Sequence, residues 1–265
     1  MSEEGRAALL VRQVCAGARY REIAPELVLR LVRRAMRHDH DDASVVKAVR
    51  RQIHQVTGAF IIGTPDVAAL TAAWPRVAPG DRPAWCEQRL REHASTRERL
   101  PWLGEFYRQI AARAGTVTRV LDLACGLNPL ARHAMPFGAA DYLACDVAGH
   151  LIPLVDAVLR DTGGGTAFVA DLVPGAPPHR ADLALVLKLL PLLEHLERGA
   201  ARRFLTSIQA PTIVVSYPTR TIGGRAIGMC STYGQQFAAL IADLPWQSES
   251  LLIGDELVFI VTRPS

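Results

Sequence analysis

The chain has 265 residues, 49% of them hydrophobic and 21% charged, with a net charge of +4. That length and balance suit a globular protein of one large domain or two small ones. No stretch reaches the roughly 20 consecutive apolar residues of a membrane span, and the acidic opening Met1-Ser2-Glu3-Glu4 is unlike a secretory signal. Five scattered cysteines (Cys15, Cys86, Cys125, Cys145 and Cys230) lack metal-ligand spacing, so reduced thiols in a cytoplasmic protein are expected. The positive charge is uneven. Residues 1–110 hold 18 Lys and Arg against 13 Asp and Glu, whereas residues 111–265 hold 12 against 13. A surface for a polyanion and a plain solvated helical surface would both look like this.

The first hundred residues read as helical, with no strand-like alternation. Pro25 to Arg37 opens on a proline and closes in cations, with Leu27, Leu31 and Arg34 on one stripe and Arg30, Arg33 and Arg37 on another. Residues 42–60 form a second expected helix with Val45, Val46, Val49, Ile53 and Val56 as its core face. Shorter helices are expected at about 65–73 and 83–95, and a linking helix from Arg99 to Ala114. Strand and helix signals then alternate. Candidate strands lie at 118–123, 141–145, 166–170, 182–187 and 211–216, with helices notably at 148–160 and 191–207. That alternation predicts a mostly parallel sheet covered on both faces. At the end, Leu251 to Ile253 and Leu257 to Val261 flank Gly254-Asp255-Glu256 with hairpin spacing. The expected fold is α/β and Rossmann-like, a mostly parallel sheet with a C-terminal antiparallel hairpin, preceded by an all-helical region. The expected division is 1–98 and 99–265. An antiparallel pair closing a parallel sheet suits methyltransferases better than dinucleotide dehydrogenases.

The chemistry is concentrated at the expected strand ends. Val120 to Leu123 runs into the turn Ala124-Cys125-Gly126, and Tyr142 to Cys145 ends in Asp146. A small-residue turn lets a ligand approach the backbone, and an acid at the next strand end accepts hydrogen bonds from a ribose diol. The turn has one glycine, so the G-x-G-x-x-G cradle for a pyrophosphate is absent. This counts against NAD and favours S-adenosylmethionine, which has no phosphate. Asp171 and Leu172, after the third strand, suit an adenine edge and face. In His93-Ala94-Ser95-Thr96-Arg97-Glu98-Arg99-Leu100, Ser95 or Thr96 could cap the linking helix, and an arginine could pair with a carboxylate. Lys188 faces the same crevice, where it could meet a phosphate or base edge, or simply snorkel. The segment from Ser216 to Met229 places Arg220 and Arg225 on a glycine-rich loop, which suits a flipped base or an ordinary surface loop. His133, His150 and His195 read as structural, and no acid/base dyad or metal site is evident.

Four blocks then carry a resemblance: His93 to Leu100, Asp122 to Leu130, Leu187 to Glu194 and Ser216 to Arg225. In that order they resemble the aminoglycoside-resistance 16S rRNA methyltransferases that modify N7 of guanine-1405. The similarity extends to Gly58-Ala59-Phe60 and to Ile253 to Leu257. It implies S-adenosyl-L-methionine as cofactor, 16S rRNA in the 30S subunit as partner, and a monomer acting without a membrane. Phe60 would close over the cofactor. His93, Ala94, Ser95, Thr96, Arg97, Glu98 and Arg99 would line its methionine end, with Arg99 on the carboxylate. Ala124 and Gly126 would lie against it, Asp146 would bind the ribose, and Asp171 and Leu172 the adenine. Leu187 and Leu196 would complete the wall. Lys188, Arg220, Arg225 and Met229 would hold the substrate, and the basic helices would grip rRNA. Relatives carry a lysine where this chain has Ile227, which leaves a phosphate contact to Arg225. Two rival readings keep part of this pattern: a small-molecule methyltransferase with the helices as a lid, and a non-enzymatic rRNA-binding protein.

Overall fold

The fold is described from a computed structural model covering residues 2–58, 66–137, 139–219 and 229–264. The apolar runs form β1 (Arg119–Leu123), β2 (Asp141–Asp146), β3 (Gly165–Val169), β4 (Leu183–Leu187) and β5 (Thr212–Pro218). The closing pair is β6 (Gln247–Ile253) and β7 (Glu256–Thr262). Together they make one seven-stranded sheet in the order β3-β2-β1-β4-β5-β7-β6. The first five strands pair in parallel, and β7 runs antiparallel between β5 and β6. The α/β reading and the closing hairpin are both present.

Alternate residues of the central strands enter opposite cores. Leu121, Leu123, Ala184, Val186, Ile213 and Val215 belong to one. Val120, Tyr142, Leu183, Leu185 and Val214 belong to the other. A strand buried on both faces shows a continuous apolar run, which is why these segments are plain in the sequence. Both cores take in helices from before β1. The first is shared by α1 (Glu3–Cys15), α2 (Pro25–Met36) and α3 (Asp42–Ile53). The second is shared by α4 (Val67–Ala73), α5 (Arg82–Leu90) and, after the short α6 (Ala94–Arg99), α7 (Leu103–Ala114). The helices α1, α2 and α3 pack on one another, and their apolar side chains run on into the core on one face of the sheet. Among the described residues no helix is long and apolar enough to cross a membrane.

Several helix boundaries differ from the sequence reading, three of them for a plain local reason. The linking helix begins at Leu103 because Pro101 lies in a tight turn at Leu100–Trp102 and cannot continue α6. The expected helix 191–207 divides into α9 (Leu190–Leu196) and α10 (Ala200–Ser207), after α8 (Ile152–Asp161) earlier in the chain. Gly199 makes that break at φ +79°, a conformation open to glycine. α3 passes at His54 into one wider turn, His54–Gly58, that still buries Val56. The last helix, α11 (Met229–Ile241), packs against β5 and β7 through Phe237, which meets Tyr217 edge-on and stacks on Phe259 with ring centroids 4.2 Å apart.

The turn after β2 is where the leading helices dock. Ala24 donates its N–H to the Val147 carbonyl (2.9 Å), Gly149 donates to the Glu22 carbonyl (2.6 Å), and Ile23 bridges Ala148. Gly149 permits this approach: a Cβ there would stand 2.5 Å from the Glu22 carbonyl oxygen. Gly149→Ala should force the two backbones apart, at a cost of about 1–3 kcal/mol. Thermal unfolding should show a midpoint lower by several degrees; an unchanged midpoint would mean the docking is loose.

A candidate active site at the strand ends

The strand order changes direction between β1 and β4, and a crevice opens at their carboxyl ends, as expected of open α/β sheets. Its walls are built by tight turns. Ala124 and Lys188, directly after β1 and β4, have φ values of +59° and +58°. Side chains other than glycine rarely hold this conformation, and such positions gather at functional sites. Gly126 follows at φ +50°, where an added Cβ would meet the His93 ring at 3.1 Å. Asp146 binds the two turns together. Its carboxylate accepts the N–H of Gly126 (2.8 Å) and of Ala148 (2.8 Å). Burial raises its pKa above the ordinary carboxyl value, and those N–H groups oppose the rise. A carboxylate has about four acceptor positions, so two remain for a ligand.

The crevice spans about 840 Å³, including space open to solvent. His93, Ser95, Ala124, Gly126, Asp146, Asp171, Leu172, Leu187, Lys188 and Leu196 all line it. Leu27, Val56 and Thr57, from the leading helices, line it as well. The sequence placed Leu27 and Val56 on core faces and gave no role to Thr57; helical periodicity reveals an apolar face but not what that face meets. Asp171 is tied to the same helices, its Oδ2 accepting from Arg30 Nε at 3.0 Å.

The rest of the 93–99 segment lies elsewhere. Ser95 and Thr96 do not cap the linking helix: they lie inside α6, and α7 has Trp102 at its N-cap with no side-chain capping bond. Ser95 Oγ instead meets His93 Nδ1 at 3.0 Å, and Thr96 donates to the Leu90 carbonyl at 2.7 Å. Ala94 is half-buried and Arg97 exposed, and neither is among the described lining residues. Glu98 reaches Lys188 Nζ at 2.6 Å. Arg99 is buried behind the wall, donating to Glu256 (2.9 Å) and Asn128 (3.0 Å) with its guanidinium over the Phe106 ring. Phe60, Arg220, Arg225, Ile227 and the Met229 side chain lie outside the described residues.

The sequence did not single out Glu256. It is 3% exposed, and its Oε1 stands 3.5 Å from Lys188 Nζ. Its sequence signals are an acid opening an otherwise apolar strand and a place inside the resembling block Ile253 to Leu257. Burial disfavours its charge, but Arg99 and Lys188 outweigh this and hold its pKa below the ordinary value. His93 is pushed down to about 4, first by burial and then by Lys188 and Arg99. Its imidazole is therefore neutral near pH 7.

Behind β1, Asp122 Oδ2 accepts from Tyr142 (2.7 Å) and Asn128 (2.9 Å). Burial raises Asp122 from 3.8 to about 6, against the pull of those bonds. A folded-state pKa above the unfolded one means that the folded form holds the proton more tightly. The associated stability is complete below pH 3.8 and is lost as pH rises through about 6. Asp122→Asn removes that titration. The stability of the variant relative to the parent should rise by about 2 kcal/mol between pH 4 and 7.5. Denaturant unfolding across that range checks it, and a flat difference would contradict it.

These residues fit a nucleoside that carries an anionic tail. The crevice pairs an apolar slot at Leu172 and Leu196 with acids at Asp146 and Asp171. The buried Nε of Arg99 is a donor without an acceptor among the described residues. Comparison with known proteins agrees. The profile of a family described as ribosomal RNA methyltransferase (FmrO) matches residues 16–260. The chain is 39% identical over 259 residues to the 16S rRNA (guanine(1405)-N(7))-methyltransferase of Frankia casuarinae, covering 94% of this chain and 91% of that one. It is similar to the structure of 16S rRNA methyltransferase RmtF in complex with S-adenosyl-L-homocysteine, with a TM-score of 0.85, 34% identity and 100% of both chains covered. It is also similar to the 16S rRNA methylase RmtB, with a TM-score of 0.81, 31% identity and 97% and 98% covered. The crevice, the strand order and the match over nearly the whole length lead to one conclusion: the chain belongs to the FmrO family of ribosomal RNA methyltransferases.

Proposed function

We propose that this protein transfers a methyl group from S-adenosyl-L-methionine to N7 of guanine-1405 in 16S rRNA of the 30S subunit, and so confers resistance to aminoglycosides. One observation carries the reading. An acid-bearing apolar crevice lies at the ends of β1, β2 and β4, in a chain alike over almost its full length to enzymes named for this reaction. The rival readings, a small-molecule enzyme or an inert binding protein, have no such support.

The bound cofactor supplies an activated methyl group on a sulfonium. Asp146 would hold its ribose, Asp171 and Leu172 its adenine, and Ala124, Gly126, Leu187 and Leu196 the walls around it. Phe60 would close over it. The 93–99 segment would serve the methionine end through His93 and Ser95 at the surface of the crevice. Behind them, the spare Nε of Arg99 would be available to a carboxylate.

Guanine N7 bears an in-plane lone pair and no proton, so no general base is needed. With its pKa pushed down to about 4, His93 is a weak base, and Lys188 is held in a salt bridge, which agrees with that. The protein's work is orientation, which can lower a barrier by about 7–11 kcal/mol. Lys188, Arg220, Arg225 and Met229 would hold the base and its phosphates. Turning the base out of its helix costs on the order of a few kcal/mol, and phosphate contacts from the basic region 1–98 would offset it. Residues 99–265 would carry the transfer. The protein would act as a monomer in the cytoplasm, where its substrate is found. A methyl on N7 leaves a fixed positive charge, which repels a cationic aminoglycoside.

Purified protein incubated with 30S subunits and methyl-labelled cofactor should label 16S rRNA, and mass mapping should place the label at N7 of nucleotide 1405. Unlabelled rRNA would contradict the reading, and so would label at another nucleotide.

A further inference from the structure

Methylation at N7 moves a positive charge as well as a methyl group. The carbon–sulfur bond breaks and leaves its electron pair on sulfur, while the N7 lone pair makes the new bond. No proton departs, so sulfur becomes neutral and the purine becomes cationic. A surplus cation beside the purine would oppose that transfer, and more strongly where water is excluded.

Among the described residues, the cations at the crevice and behind its wall are balanced. Lys188 lines it, with Nζ 2.6 Å from Glu98 and 3.5 Å from Glu256. The other oxygen of Glu256 accepts from Arg99 at 2.9 Å. Two basic and two acidic side chains thus form one neutral cluster, and Arg99, Lys188 and Glu256 are all buried. The place of Lys188 is determined from several sides: its N–H donates to the Ser216 carbonyl at 3.0 Å and its φ is +58°. A lysine meant only to attract phosphate would gain nothing from two carboxylates, since they cancel its charge.

We propose that Glu256, together with Glu98, neutralises the buried cations of the crevice so that positive charge can pass to the purine. Glu256 is a positioning residue that acts through Lys188. The inference rests on the reading of the protein as a purine N7 methyltransferase.

Glu256→Gln keeps the shape of the side chain and removes its charge. In the full-length protein, kcat on 30S subunits should fall about tenfold or more. KM for the subunit should not rise, and calorimetry should find affinity for S-adenosylhomocysteine within about twofold of the parent. Lys47 and Lys188 are the two lysines of the chain, so carbon-13 lysine spectra should show the Lys188 signal moving and the Lys47 signal still. In a Lys188→Met background the surplus charge is gone, and Glu256→Gln should change kcat less than about twofold. Unchanged kcat overturns the proposal. So does a loss confined to KM or cofactor affinity, or an equal loss in the Lys188→Met background. If Glu256→Gln does not fold, Glu98→Gln, whose side chain is 43% exposed, carries the same expectations. A parent protein inactive on 30S subunits would overturn the functional reading itself. An active parent with an unaffected variant overturns only this inference.

Discussion

The carboxylate of Asp146 accepts two backbone N–H groups, from Gly126 and from Ala148, each at 2.8 Å. Those two bonds hold the turn after β1 against the turn after β2 and set the width of the crevice between them. They also fix Val147, Ala148 and Gly149, the segment on which the backbone of Glu22 to Ala24 docks. Ligand-binding geometry and the seating of the leading helices therefore share one anchor. Because those helices bring Leu27, Val56 and Thr57 to the crevice, the sheet edge alone is an incomplete site.

A second constraint is electrostatic. Segments far apart in the chain meet in one group of charges, buried except for Glu98: Glu98 and Arg99 from α6, Lys188 from the end of β4, and Glu256 from the start of β7. Breaking one buried ion pair by removing a partner typically costs several kcal/mol, because a charge is left unpaired away from water. The hairpin β6–β7 is therefore more than an edge for the sheet. It delivers the carboxylate that ties the helical and strand-end motifs together. Antiparallel pairing puts the start of β7 beside the end of β5, with Glu256 opposite Pro218, so that carboxylate arrives at the strand ends beside the crevice.

Much of this was legible from residues alone, and the rest was not for identifiable reasons. The central strands are buried on both faces, so β1, β4 and β5 stand out as apolar runs that end in turns. Asp146, Asp171, Leu172 and Lys188 could be placed at the crevice because strand ends locate them. The 93–99 block was harder. Its resemblance marked all seven residues, but α6 turns only some of them inward, and local pattern does not specify which. Thr96 and Arg99 face the interior, whereas Arg97 is exposed. The positive φ values of Ala124 and Lys188 leave no trace in composition. Nor does periodicity say that α1 to α3 share a core with the sheet, since it reports which face is apolar and not the partner of that face. Glu256 escaped notice because its partners lie 157 and 68 positions away, at Arg99 and Lys188.

The central claim is that the cofactor binds where two parts of the chain meet, the sheet edge and the leading helices. Hydrogen exchange of the full-length protein, with and without saturating S-adenosylhomocysteine, tests it most directly. The account predicts slowed exchange in the turns at 124–126 and 146–148, and also in α2 and at residues 56–57. Protection confined to the strand ends, with α2 and residues 56–57 unaffected, would contradict it.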